Sequence, residues 1–91
     1  MRCGSHTGAG GTITAYVRLE GAGNERIREA LLTGDFFVTP PRLVFDLEAS
    51  LRQMPVAEAG AAVERFFAGA KVGLLSVSPA DFRAAVEAAL Q

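Results

Sequence analysis

The residues able to do chemistry in this sequence are few, and none stands at a spacing that chemistry requires. His6 has no Asp, Cys or second His near it along the chain, so neither a metal pair nor a general-base arrangement is legible, and it reads as a solvated loop residue. Cys3 is the one cysteine, which excludes an internal disulfide and a multi-cysteine metal site. The segment GSHTGAGG, residues 4–11, has four glycines in eight positions and invites comparison with a phosphate cradle. It fails that comparison: no lysine follows the glycines, and too few residues precede them for the strand that opens a dinucleotide-binding fingerprint. Asp35 is the carboxylate in the most suggestive place, directly after Gly34 at the end of a strand-like run. An Asp there caps its own turn by accepting from nearby backbone amides, or faces an interface, before it does catalysis. Tyr16 lies on the polar side of an alternating strand, where a cross-strand contact is its simplest role. These residues offer no catalytic group and no metal site.

Composition narrows the class further. Ninety-one residues are enough for one two-layer domain and too few to build a sizeable catalytic cleft alone, so a partner enters the picture early. Nine basic residues against ten acidic ones leave a net charge of −1, with Lys71 the one lysine and the arginines dispersed. That balance gives no electrostatic footprint for nucleic acid or for an anionic membrane. No apolar run approaches the ~20 residues of a membrane helix, and Met1 to Ser5 lacks the apolar core of a signal peptide. The expectation is a soluble, cytoplasmic domain.

The elements that would position these residues fall into two halves. Residues 1–11 read as a flexible Gly-rich N-terminal segment, and residues 12–91 as a single domain. From Thr12 to Glu20 the chain alternates, with Ile13, Ala15, Val17 and Leu19 on one face and Thr12, Thr14, Tyr16, Arg18 and Glu20 on the other. Gly21-Ala22-Gly23-Asn24 supplies a turn, and a return strand runs from Arg26 toward Leu32. Its alternation is imperfect around Glu29, which points to the sheet edge or to a bulge. Gly34 breaks that run, and Asp35 to Val38 can form a short third strand.

Beyond Thr39 the pattern is helical. Thr39 as N-cap with Pro40 at the first position starts a helix whose inward residues are Val44, Leu47, Leu51 and Met54, with Arg42, Asp46, Glu48 and Arg52 on the wet side. Pro55 ends it, and Val56 to Ala68 repeats the pattern with Val56, Ala59, Val63, Phe66 and Phe67. Lys71 to Val77 is a short apolar connector. Ser78-Pro79-Ala80-Asp81 starts the last helix, which carries Phe82, Val86 and Ala89 or Leu90 inward. The fold class is therefore α+β: a small antiparallel sheet of two to three strands, packed on one face by about three helices. Phe36 and Phe37 stand at the hinge between the halves, where one ring fills the core and the other points outward.

The run Gly10-Gly11-Thr12-Ile13, the Gly-containing turn, Gly34-Asp35-Phe36-Phe37 with Pro40, and Ser78-Pro79-Ala80-Asp81-Phe82 resemble the accessory (C-terminal) domain of bacterial and archaeal lipoate-protein ligases. The resemblance covers roughly residues 7–91 and departs at one place: a lysine usual about three residues before the Gly-Gly would fall near Thr7 and is missing. It implies a non-catalytic accessory subunit of a two-protein ligase, assisting ATP-dependent activation of lipoate to lipoyl-adenylate by a separate catalytic subunit. Lipoate and ATP with magnesium would belong to the complex, none bound by this chain alone, and a lipoyl carrier domain would be an indirect partner. Gly10, Gly11, Gly34, Asp35, Phe36 and Phe37 would lie at the subunit interface or near the adenylate. The fold would then resemble that of iron–sulfur scaffold and sulfur-acceptor proteins. An activity of that kind, or another interaction role without a ligase, is the alternative, and cluster binding is disfavoured because Phe36, Phe37 and Thr39 stand where such proteins carry cysteines.

Overall fold

The computed structural model describes residues 1–91. Three antiparallel strands form the main sheet in the order β1-β2-β3: β1 spans Arg2–Gly8, β2 Gly11–Glu20 and β3 Arg26–Asp35. A two-stranded ribbon pairs β4, Val38–Thr39, with β5, Leu74–Leu75. The helices are α1, Arg42–Leu51, α2, Ala59–Gly69, and α3, Pro79–Leu90, with a single 3-10 turn at Val56–Glu58 ahead of α2.

The alternation of β2 is realised as read: Ile13, Ala15 and Val17 are fully buried, while Thr12, Thr14 and Tyr16 lie on the other side of the sheet. In β3 a register shift opposite Arg18/Leu19 resets the parity, so that Ile27, Ala30 and Leu32 all face inward and Leu31 turns out. The shift explains the broken alternation around Glu29. The helices cover the inner face, and Phe82 of α3, Leu47 and Leu51 of α1, and Val63 of α2 are fully enclosed there. The α+β architecture with a three-stranded antiparallel sheet is thus present.

Several boundaries differ from the sequence expectation. Residues 1–11 are not a flexible lead-in: Arg2–Gly8 pairs with β2 along its whole length, from Arg2↔Val17 to Gly8↔Gly11. Its inward positions are Gly4, His6 and Gly8, with no apolar side chain among them, so the alternation was invisible. Gly4 is needed because the backbone of Ala88 and Ala89 in α3 passes where a Cβ would stand. The break at Gly34 is also displaced, since β3 continues through Asp35, and Phe36-Phe37 form the link to β4. Thr39 is a ribbon residue and caps no helix; α1 starts at Arg42 after Pro41, with no side-chain cap.

Glu48, placed on the wet side of α1 by pattern, is buried at 7% exposure. Its Oε2 accepts the backbone N–H of Leu32 at 2.7 Å, which closes the outer edge of β3 at that point. Further along the same edge the segment after α1 takes over: Ile27 N–H donates to Met54 O at 2.9 Å, Gln53 N–H to Ile27 O at 2.7 Å, and Val56 N–H to Glu25 O at 2.8 Å. A buried carboxyl group is kept where a buried donor needs its oxygen. Replacing Glu48 by Ala should therefore destabilise the protein by about 1–3 kcal/mol, since Leu32 N–H loses its acceptor. Glu48→Gln, whose amide oxygen still accepts, should cost less. Urea denaturation of the two variants checks this, and an Ala variant as stable as wild type would remove the edge-closing role.

Candidate functional site

One end of the sheet gathers the residues singled out by sequence. The β2–β3 register sets Thr12 opposite Asp35 and Ile13 opposite Gly34, which brings the β1–β2 turn, with Gly10 and Gly11, beside the end of β3. At Gly11 (φ 138°) and Gly34 (φ 147°) both the backbone conformation and the space demand glycine, because a Cβ would meet the carbonyl oxygens of Asp35 and Thr12 respectively. Gly10 lies against the carbonyl of Ser76, so the turn is wedged between β3 and the segment leading into α3. These three glycines are accounted for by close backbone packing.

The two phenylalanines divide as expected. Phe36 is half-buried and packs edge-on against Phe82, with centroids 5.2 Å apart and planes at 81°; Phe82 in turn lies 5.1 Å from Phe67. Phe37 is 73% exposed. Its backbone is fixed on both sides, since Phe37 N–H donates to Ser76 Oγ at 2.8 Å and Ser76 N–H to Phe37 O at 3.0 Å. Leu74 N–H donates to Thr39 Oγ1 at 2.7 Å, which fixes the other end of the ribbon. Residues opposite one another point to the same side of a ribbon, so Phe37, Thr39, Leu74 and Ser76 share its outward face while Val38 and Leu75 turn inward. Leu74 is 59% exposed there. Sequence reasoning missed Leu74, which shows its position only through the pairing of β4 with β5.

Asp35 is exposed beside this face, and its carboxylate makes no hydrogen bond, so it does not cap its own turn. The expectation of self-capping is corrected because β3 continues through Asp35, which stands in a strand and not in a turn. The arrangement offers an exposed carboxylate, an exposed aromatic ring and an aliphatic side chain on rigid backbone, which are means of binding. No three His, Cys, Asp or Glu side chains converge to hold a metal ion.

His6 proves not to be a solvated loop residue. Its Nε2 lies 3.1 Å from Oδ1 of Asp81, while Oδ2 of Asp81 accepts the Ser78 N–H at 2.9 Å and Ser78 Oγ accepts the Asp81 N–H at 3.1 Å. This capping box starts α3 and ties it to β1. The hydrogen bond from the Ser78 backbone holds the Asp81 carboxyl below its ordinary value of 3.8; burial, the next largest effect, opposes it, and the Ser78 hydroxyl and His6 add smaller lowering contributions. The Ser78 hydroxyl beside the pair is engaged in the cap, and the geometry of the three residues is that of a clamp.

No protein-family model and no curated protein matches the chain. Among solved structures, one chain from the archaeal lipoylation system of Thermoplasma acidophilum, described as a bi-partite lipoate protein ligase and its E2 lipoyl domain, superposes with a TM-score of 0.78 at 26% sequence identity. The match covers 94% of this chain and 94% of that one. The likeness to a lipoate-protein ligase system that the motifs carry is therefore present in three dimensions.

Two outcomes follow from this geometry. Phe36→Ala should cost about 1–3 kcal/mol of stability by emptying its half-buried place against Phe82, whereas Phe37→Ala should leave the melting temperature unchanged; calorimetry of both separates the inward ring from the outward one. A carboxyl with a depressed folded-state pKa contributes stability that is complete above the unfolded value of 3.8 and is lost as pH falls through the folded value. Asp81→Asn should thus melt lower than wild type at neutral pH and show a shallower decline in acid, read from melting curves between about pH 2 and 7.

Proposed function

We propose that this chain is the non-catalytic accessory subunit of a two-protein lipoate-protein ligase, working in the cytoplasm beside a separate catalytic subunit. The observation that carries this reading is the extent of the structural match: 94% of both chains superpose, so the counterpart is a chain of nearly the same length within a system described as bi-partite. Agreement with the sequence motifs adds to it, because Gly34-Asp35-Phe36-Phe37 and Ser78 to Phe82 fall where the two halves of the domain meet. The chemistry of the chain is compatible with an assisting role. It has no metal-holding cluster, and its exposed features are a carboxylate and two apolar side chains.

In this reading lipoate, ATP and magnesium are held by the catalytic subunit. The accessory chain closes over the activated acyl group and excludes water, which requires a rigid surface and no reacting group of its own. Asp35, Phe37 and Leu74 are the contacts assigned to the catalytic partner, with Gly10, Gly11 and Gly34 shaping the backbone under them and Phe36 anchoring the link. A carrier role is the competing possibility within the same system, since Lys71 is exposed just beyond α2.

Pull-down from the source extract with this chain as bait, followed by mixing with the recovered ligase subunit, tests the reading. Lipoate-dependent ATP–pyrophosphate exchange should appear or rise only on mixing, and the mass of this chain should stay unchanged after turnover. A lipoyl group found on Lys71 would make the chain the carrier, and recovery of a cysteine desulfurase would move it to sulfur transfer. Phe37→Ala and Asp35→Ala should each weaken pairing by about 1–2 kcal/mol, roughly tenfold, while the folded state melts as wild type. Unchanged pairing in both variants would take this face out of the interface.

A further inference from the structure

The two edges of the sheet are finished differently. The outer edge of β3 is closed by residues 53–56 and by Glu48, as described. At β1 nothing equivalent exists: outside the β1–β2 ladder no backbone hydrogen bond involves residues 1–8. Which groups are left can be read from the register. Leu32 N–H points away from β2, toward Glu48, so its opposite residue Ala15 directs its own N–H and C=O to β1 and exchanges both bonds with Gly4. The same parity makes Gly8↔Gly11 the bonded pair that closes the two-residue Ala9-Gly10 turn. Arg2, Gly4, His6 and Gly8 are therefore spent on β2, and Cys3, Ser5 and Thr7 aim both backbone groups outward.

This edge lacks the features that normally discourage strand addition. It has no proline, no lysine and no bulge, its inward His6 is taken up by Asp81 of α3, and Arg2 at its very start is its one permanent charge. A row of alternating unpaired donors and acceptors at strand spacing is complementary to one chemistry, another extended backbone.

Gly4 meets the α3 backbone at Ala88–Ala89 and Gly8 meets Asp81, so α3 runs along β1: about 11 Å of helix over about 13 Å of strand. A second copy paired there in the antiparallel sense would set two α3 helices side by side over the seam, whereas an extended segment that carries no helix on that face adds to the edge without that crowding.

We infer that the outer edge of β1 receives an extended strand of the catalytic partner subunit, an assignment that rests on the accessory-subunit reading. The added strand pairs with Cys3, Ser5 and Thr7 and continues the sheet to four strands. Ser5→Pro tests it, because a proline is tolerated on an edge strand where its missing N–H faced solvent, yet it removes the central donor. With the recovered ligase subunit as probe, Ser5→Pro should melt as wild type and bind at least about tenfold more weakly, while Ser5→Ala binds as wild type. Amide hydrogen exchange on the wild-type complex gives a second reading: Cys3, Ser5 and Thr7 should slow at least about tenfold on binding. Equal binding by Ser5→Pro, or free exchange of these amides in the complex, overturns the assignment even where the proline variant fails to fold. Absence of any bound ligase subunit with wild type overturns the subunit reading itself, and the edge assignment falls with it.

Discussion

The seating of α3 on β1 is the contact on which the rest of the molecule depends. It joins the two ends of the chain, with the helix backbone at Ala88–Ala89 resting on Gly4 and the Asp81 carboxylate reaching His6. Only with that helix in place does Phe82 enter the space between Phe36 and Phe67, and only then are Ile13, Ala15 and Val17 removed from water. Fully burying a side chain of the Phe or Ile kind is worth about 1.5–3 kcal/mol, so the helix and the inner face of the sheet stabilise one another across the longest sequence separation available. Two glycines and a capping box set the distance and the starting point of that contact.

The capping box was legible because its parts are local. Ser78, Pro79 and Asp81 specify a helix start within four residues, and the structure forms it as written. The strand β2 was legible for a related reason, its apolar and polar residues alternating over its whole length. β1 was not, because what packs it inward is the lack of side chains at Gly4 and Gly8, and periodicity counts side chains. Glu48 failed in the opposite sense. Its charge assigns it to water, and a tertiary hydrogen bond to Leu32 in another element reverses that assignment. The start of α1 moved because Thr39 bonds across the ribbon to Leu74 in place of capping a helix.

At the candidate site the sequence was a good guide to which residues meet and a poorer one to why. Gly10, Gly11, Gly34, Asp35, Phe36 and Phe37 do share one end of the sheet. The glycines are there because backbones cross at separations that exclude a Cβ, whatever the surface outside them does. The division of labour between Phe36 and Phe37 follows from chain direction alone, but the company Phe37 keeps could not. Leu74 arrives from 37 residues further on, through a two-residue ribbon too short to announce itself by pattern.

The open edge and the exposed ribbon are neighbours. β1 runs toward the Ala9-Gly10 turn, Gly10 touches Ser76, and Ser76 is bonded in both directions to Phe37. A segment laid along Cys3, Ser5 and Thr7 therefore ends next to the face that carries Phe37 and Leu74. Backbone pairing of this kind is directional and indifferent to sequence, whereas a ring and an aliphatic side chain at its end discriminate by shape. A chain with little surface to spare can thus divide orientation and selectivity between two adjoining features, both held by strands whose own positions are over-determined by α3. The opposite edge, closed by Glu48 and residues 53–56, leaves one direction in which the sheet can grow.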